Sequence, residues 1–190
     1  MAATAGQPPW PSLQRAAALF PRPGEALDIG AGAGRDTRHL LEGGWRVTAV
    51  DSSPSAIEAL GRLPQRNLRI VASAAQDFAP SSYDLVNAQF SLPFVAPAAF
   101  EPTVERMKCC VKPGGVLAMT FFGPHDEWNT PDSRLTFTTR QEIERLFAGW
   151  ELIELTEAEE DGRVATGGPK HWHTFQLIAR RPEASAPKRV

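Results

Sequence analysis

The run Ala26-Leu27-Asp28-Ile29-Gly30-Ala31-Gly32-Ala33-Gly34 decides the fold. A short apolar stretch leads into glycines at every second position, and a helix-forming segment opens at Arg35 and Asp36. Glycine takes positive φ at little cost and has no Cβ, so Gly30, Gly32 and Gly34 let the backbone turn sharply and let a ligand lie against it. The helix beyond offers unpaired N–H groups and the positive end of its dipole. Strand, glycine loop and helix N-terminus together make a cradle for an anionic group, with Asp28, Gly30, Ala31, Gly32, Gly34 and Arg35 expected around it. A dinucleotide fingerprint G-x-G-x-x-G counted from Gly30 requires glycine where this chain has Arg35, which lowers the weight of an NAD reading.

Trp45 to Val50 reads as a second strand that ends at Asp51, 21 positions after Gly30. An acid about 20 residues after the first glycine is where folds of this architecture grip a ribose hydroxyl pair. The other reading of Asp51 is a cap for the helix that Ser52-Ser53-Pro54 opens. Further along, strands are expected at Leu68 to Ala72, Tyr83 to Gln89 and Val116 to Phe122, with helices at about Arg35 to Leu41, Ser55 to Leu63 and Pro102 to Val111. Lys112-Pro113-Gly114-Gly115 is expected to turn the chain, and Thr139-x-x-Glu142 to open a helix as a capping box. Trp150 to Thr156 and His173 to Ala179 are two strands with no helix between them, so they should pair antiparallel through a loop rich in Glu, Gly and Thr. The whole is an α/β, doubly wound, mostly parallel seven-stranded sheet with an antiparallel final strand. One domain over residues 1–190 is expected, with a core at about 24–181, an N-terminal helical extension at 8–22 and a flexible tail at 182–190.

Composition agrees with one folded enzyme domain. Of 190 residues 42% are hydrophobic, and glycine and proline number 15 and 17, too few for a disordered or fibrous chain. A net charge of −2 leaves no basic field for a nucleic-acid backbone, so a small-molecule partner is expected rather than DNA. No apolar run is long enough for a membrane span and the N-terminus lacks a secretory pattern, which points to the cytoplasm. The two adjacent cysteines, Cys109 and Cys110, exclude a disulfide framework.

The pattern D-x-G-x-G-x-G from Asp28 to Gly34, Asp51 at its spacing and the paired strands at the end of the chain resemble the class I S-adenosylmethionine-dependent methyltransferases, over about residues 24 to 181. Gln89-Phe90-Ser91-Leu92-Pro93-Phe94, Phe121-Phe122-Gly123-Pro124-His125-Asp126-Glu127-Trp128 and Lys170-His171-Trp172-His173 look like those of small bacterial members, in the broad group that includes tellurite-resistance enzymes. The resemblance implies a Rossmann-like sheet whose last strand lies between strands five and six. It implies S-adenosyl-L-methionine as cofactor and a methyltransferase activity. Asp51 and Ser52 would then meet the ribose, and Gln89 and Phe90 the methionine and methyl end. The family's usual acid for adenine falls on Ala74 here, so that contact passes to the Ala75 amide and the Gln76 side chain, with Asp77 a further candidate or a turn cap. The N-P-P-Y motif of amino-methylating nucleic-acid enzymes is absent.

A sulfonium methyl is already activated, so the protein mainly aligns an acceptor and excludes water. A base is needed only for a protonated acceptor, and His173, His171 and His125 are the candidates. Both the Phe122 to Trp128 segment and the Lys170 to His173 segment are expected at the ligand edge, rimming an acceptor pocket. His171 and His173 share one strand face and invite a metal reading, but zinc requires a third ligand. Only His125, Asp126 or the acids from Glu157 to Asp161 could supply it, and no metal is expected. The acidic run reads as a solvated loop or as a lid over the pocket. The expected assembly is a monomer or homodimer acting on a small molecule, with no DNA or membrane partner. An RNA or protein methyltransferase and a noncatalytic S-adenosylmethionine-binding module are the alternatives.

Overall fold

The structure, a computed structural model, describes residues 6–164 and 167–183. Its elements are α1 (Pro11–Ala18), β1 (Glu25–Ile29), α2 (Arg35–Glu42), β2 (Arg46–Asp51), α3 (Pro54–Leu60), β3 (Leu68–Ala72), β4 (Tyr83–Ala88), α4 (Pro97–Cys109), β5 (Val111–Phe122), α5 (Arg140–Leu146), β6 (Glu151–Arg163) and β7 (Pro169–Arg180), with a 3-10 turn at Leu92–Phe94. The seven strands form one sheet in the order β3-β2-β1-β4-β5-β7-β6. β1 to β5 run parallel, and β7 is antiparallel to both of its neighbours. This is the Rossmann-like sheet that the resemblance implies, with the last strand inserted between the fifth and the sixth. The strand order reverses between β1 and β4, which places a ligand crevice at the C-terminal ends of those two strands.

Apolar side chains hold helices to both faces. Leu27, Val86, Leu117, Phe121 and Phe175 pack with Phe100, Val104 and Met107 of α4 and Ile143 of α5. On the other face Ala26, Leu85, Val116 and Ile178 meet Leu13 and Ala16 of α1 and Leu40 of α2. Burial on both sides explains why Val116 to Phe122 is apolar apart from Thr120. α5 opens with the expected capping box: the Thr139 hydroxyl accepts from the Glu142 amide, and the Glu142 carboxylate accepts from the Thr139 amide. No helix among the described residues is long and apolar enough to cross a membrane.

Three local expectations are corrected. Lys112 to Gly115 lies within β5: Tyr83 pairs with Val111 and Leu85 with Val116, so the anticipated turn is absorbed as a bulge inside a strand. α4 starts at Pro97, five residues earlier than expected, and carries Pro102 in its interior. The acidic run from Glu157 to Gly162 is neither a loop nor a lid but part of β6, paired to β7 residue by residue. Its low strand propensity is overridden by cross-strand pairing, since Glu159 stands opposite His173 and Asp161 opposite His171. α1 falls inside the expected extension at 8–22. Of the expected tail, residues 184–190 lie outside the described residues.

Candidate active site

The loop after β1 is tied to β2 by backbone bonds. The Gly30 and Ala31 amides donate to the Val50 carbonyl at 2.8 and 3.1 Å, and the Gly32 amide donates to Asp51 Oδ2 at 2.8 Å. The Ser53 amide donates to Asp51 Oδ1 at 2.8 Å. Asp51 is therefore half-buried and fixed at the end of β2, with lone pairs left on both oxygens. Gly30, Gly32 and Gly34 have φ of 71°, 56° and 81°. Gly34 is the N-cap of α2 and no side chain caps that end, so the first N–H groups of the helix are free to meet an anion. A Cβ on Gly30 would collide with the Cβ of Ser91, whose hydroxyl is buried without a hydrogen-bond partner. An orphaned hydroxyl beside a glycine cradle is the kind of group that a polar ligand satisfies.

Beneath the loop lies a buried polar network. Asp28 accepts from Thr37 Oγ1 at 2.6 Å and from Asn87 Nδ2 at 2.9 Å, and the same Asn87 amide donates to Asp36 at 3.0 Å. Gln89 Nε2 donates to Asn87 at 3.0 Å, while Gln89 Oε1 accepts from Ser12 and Thr120. Burial, aided by the Asp36 carboxylate, pushes Asp28 up to about 7 against the opposing bonds of Thr37 and Asn87. Burial likewise raises Asp36, which the Trp10 amide and Asn87 partly offset. Asp28 and Gln89 thus support the loop and β4 from inside, with their polar atoms engaged by the protein itself. Ser52 is exposed next to Asp51, and Ala75, Gln76 and Asp77 form the turn after β3, beside the end of β2.

Across the crevice stands an aromatic wall. Phe90 holds φ of 52°, a conformation that a non-glycine residue keeps only where its surroundings impose it. Its ring lies 4.3 Å from Trp10, 5.8 Å from Trp172 and 6.1 Å from Phe122. Phe122 continues to Trp128 at 5.9 Å, and Trp128 to Trp172 at 5.6 Å. Phe94 reaches the same rings and is 58% exposed, which leaves it free to contact a ligand. The Lys170 ammonium lies behind the wall, 3.6 Å from the centroid of Trp172 and 4.3 Å from that of Trp128, ion-paired to Asp126 at 2.5 Å. Both side chains are buried; desolvation lowers the Lys170 ammonium, and Asp126 opposes that.

Trp10 was not marked as a site residue by its sequence. Its amide donates to Asp36 at 3.0 Å, and the Arg35 guanidinium lies 4.1 Å over its ring while bonding the Pro8 carbonyl. Residues 8 to 10 are thereby strapped over the start of α2. Ser91 lies inside the Gln89 to Phe94 motif, but nothing in the sequence gives it a role of its own, because that role comes from the close approach of Gly30.

The histidines are gathered together, but away from Phe90. Strand alternation puts Lys170 and Trp172 on one face of β7 and His171 and His173 on the other. The His125 ring stacks on His173 at 4.8 Å, so it joins the same side. His173 is buried, its Nδ1 accepting from the His125 amide at 3.0 Å and its Nε2 meeting Glu157 at 3.1 Å. His171 lies between Asp161 at 2.8 Å and Glu159 at 3.2 Å, and these acids raise its pKa. The expected rim is thus revised: Phe122, Trp128 and Trp172 line it, while His125, His171 and His173 face the acids of β6.

Residues 27–119 match a family model described as a methyltransferase domain. Over that stretch the chain is similar to the class I S-adenosylmethionine-dependent methyltransferases. The matched segment spans the glycine loop, Asp51 and Phe90, whereas Trp10, Trp128 and Trp172 lie outside it. An uncharacterized methyltransferase of Mycobacterium bovis is 34% identical over 110 residues, which cover 57% of this chain and 41% of the relative. The chain therefore spans less than half of that relative's length. The crystal structure of TehB from Haemophilus influenzae matches with a TM-score of 0.77 at 19% identity, covering 89% of this chain and 61% of that one. The 1,6-didemethyltoxoflavin-N1-methyltransferase of Burkholderia thailandensis, solved with 1,6-didemethyltoxoflavin and S-adenosylhomocysteine, gives 0.68 at 24% identity, covering 91% and 77%. Both likenesses concern the fold.

Proposed function

We propose that this methyltransferase holds S-adenosylmethionine across the C-terminal ends of β1, β2 and β3 and methylates a small molecule seated against Phe90, Phe94, Phe122, Trp128 and Trp172. The observation that carries the reading is the cradle at Gly30. It combines a glycine packed against Ser91, a buried unpaired hydroxyl, an uncapped helix end and a fixed carboxylate at Asp51. When bound, the cofactor supplies a sulfonium methyl that needs no further activation. The backbone from Gly30 to Gly34 and the N-terminus of α2 would take the methionine carboxylate. Asp51 would accept both ribose hydroxyls, with Ser52 beside it. The Ala75 amide, Gln76 and Asp77 would border the adenine. Asp28, Arg35 and Gln89 would set the loop, the Trp10 strap and the position of Phe90.

The aromatic wall favours a flat, largely apolar acceptor, since rings meet such a molecule by stacking and edge contacts. Steric alignment and exclusion of water then supply most of the rate, since the rings that would seat the acceptor carry no general base. The Burkholderia thailandensis relative, named for its action on 1,6-didemethyltoxoflavin, is one small-molecule precedent within the fold. Action in the cytoplasm as a monomer or homodimer, without a DNA or membrane partner, belongs to the same proposal.

The test is transfer of labelled methyl from S-adenosylmethionine in the presence of a cell extract. Label in the small-molecule fraction, lost in Asp51→Ala, supports the proposal. Label in protein or RNA would replace it with a macromolecular acceptor, and cofactor binding without any transfer would replace it with a binding module.

A further inference from the structure

We propose that His125, Glu159 and His173 form a binding site for a divalent transition-metal ion of the zinc class, on the sheet face opposite the aromatic wall. Their ligand atoms lie within 4.8 Å of one another. Imidazole and carboxylate suit zinc, and three protein ligands leave a fourth position for water. The spacing of His171 and His173 alone singles out no further ligand; the fold supplies two for His173. The β6–β7 register sets Glu159 opposite His173, and the turn after β5 delivers His125 to the same carboxylate. His125 Nδ1 and Glu159 Oε2 are 3.1 Å apart, close to the edge of about 3.3 Å expected between ligands in a tetrahedron with bonds of about 2.0 Å.

Proton positions agree with coordination through His173 Nδ1. That nitrogen accepts from the His125 amide, so it carries no proton, and the ring proton sits on Nε2 and is donated to Glu157. A metal at Nδ1 takes the place of the amide as partner. The displaced amide belongs to an exposed residue and can turn to water. The Nε2–H bond to Glu157 then becomes the carboxylate support that metal-bound imidazoles commonly have. Gly123 makes room for the imidazole itself, because a Cβ there would collide with Nδ1, Cε1 and Cγ of the ring. The second Glu159 oxygen is held by His171 Nε2 at 3.2 Å, and His171 is anchored by Asp161 on its other nitrogen. Both His173 and Glu159 thus have a second contact that orients them, and none of the three proposed ligands is used in the proposed transfer.

The test uses the full chain, stripped with a chelator and titrated with zinc chloride by calorimetry and with cobalt chloride by visible absorption. One saturable equivalent of zinc and the intense visible bands of tetrahedral cobalt are expected, with a rise in melting temperature. The double variant His125→Ala/His173→Ala should lose both signals, and Gly123→Ala should weaken them. Glu157→Gln should lower affinity on the order of 10- to 100-fold. Circular dichroism in metal-free buffer checks that each variant is folded. If the double variant is unfolded, Glu159→Gln, at an exposed position, takes its place and should likewise weaken binding. No saturable binding by the wild-type chain, or unchanged binding in the folded variants, would overturn the proposal and leave the histidines as counter-charges to β6.

Discussion

Replacing Asp28 by asparagine should change how stability depends on pH, because this carboxyl is buried beside a second one. An asparagine there would keep both contacts: its carbonyl accepts from Asn87, and its amide donates to Thr37 once that hydroxyl has rotated. What the substitution removes is the cost of ionising the group in place. Asp28 is raised from 3.8 to about 7, first by desolvation and then by Asp36. A raised carboxyl binds its proton more tightly in the folded chain than in the unfolded one. Its contribution is therefore fully present below about 3.8, is lost as pH rises through the interval, and is gone above about 7. That interval corresponds to at most roughly 4 kcal/mol. The assay is urea unfolding of both chains at several values between about pH 4 and about pH 8, with the difference between them cancelling the other titrating groups. Asp28→Asn should gain about 2 to 4 kcal/mol relative to the wild type across that range. Parallel profiles for the two chains would refute the assignment of a strained, protonatable carboxyl beneath the loop.

Gly30→Ala meets both a φ of 71° and the Ser91 side chain; the backbone alone should cost about 1 to 2 kcal/mol, seen as a melting point lower by about 2 to 8 °C, with cofactor binding lost. Lys170→Ala strands the buried Asp126 carboxylate and should cost about 3 to 5 kcal/mol in urea unfolding, whereas Lys170→Met with Asp126→Leu should recover much of it. Thr139→Ala removes the hydroxyl of the capping box and should cost about 0.5 to 2 kcal/mol in thermal unfolding without affecting cofactor affinity.

What was legible in the sequence was local. The glycine loop, Asp51 at the end of β2 and the Thr139 capping box each depend on a few consecutive residues, and each stands where its spacing put it. The strand-only end of the chain also revealed the antiparallel β6–β7 pair. Misreadings arose where tertiary contacts outweighed local preference. Gly114 and Gly115 read as a turn, but the pairing of β5 with both neighbours carries the strand through them as a bulge. The acids of β6 read as solvated coil, but each faces a residue of β7. Trp10 had no signal at all, and Ser91 none beyond its place in the Gln89 to Phe94 motif, since each matters through a neighbour distant in the chain: Asp36 for Trp10, Gly30 for Ser91. The placement of the histidines was partly readable. Alternation along Lys170-His171-Trp172-His173 already separates the histidines from Trp172, yet only the contact of Trp172 with Phe90 identifies which face borders the crevice.

A cofactor site built on the Gly30 loop and Asp51 is tested most directly by calorimetric titration of S-adenosylhomocysteine into the wild-type chain and into Asp51→Ala. The wild type should bind one equivalent, and the variant should bind about 10- to 100-fold more weakly, the loss of a charged hydrogen-bond pair worth about 1 to 3 kcal/mol. No binding by the wild type, or equal affinity in a folded Asp51→Ala, would contradict the account.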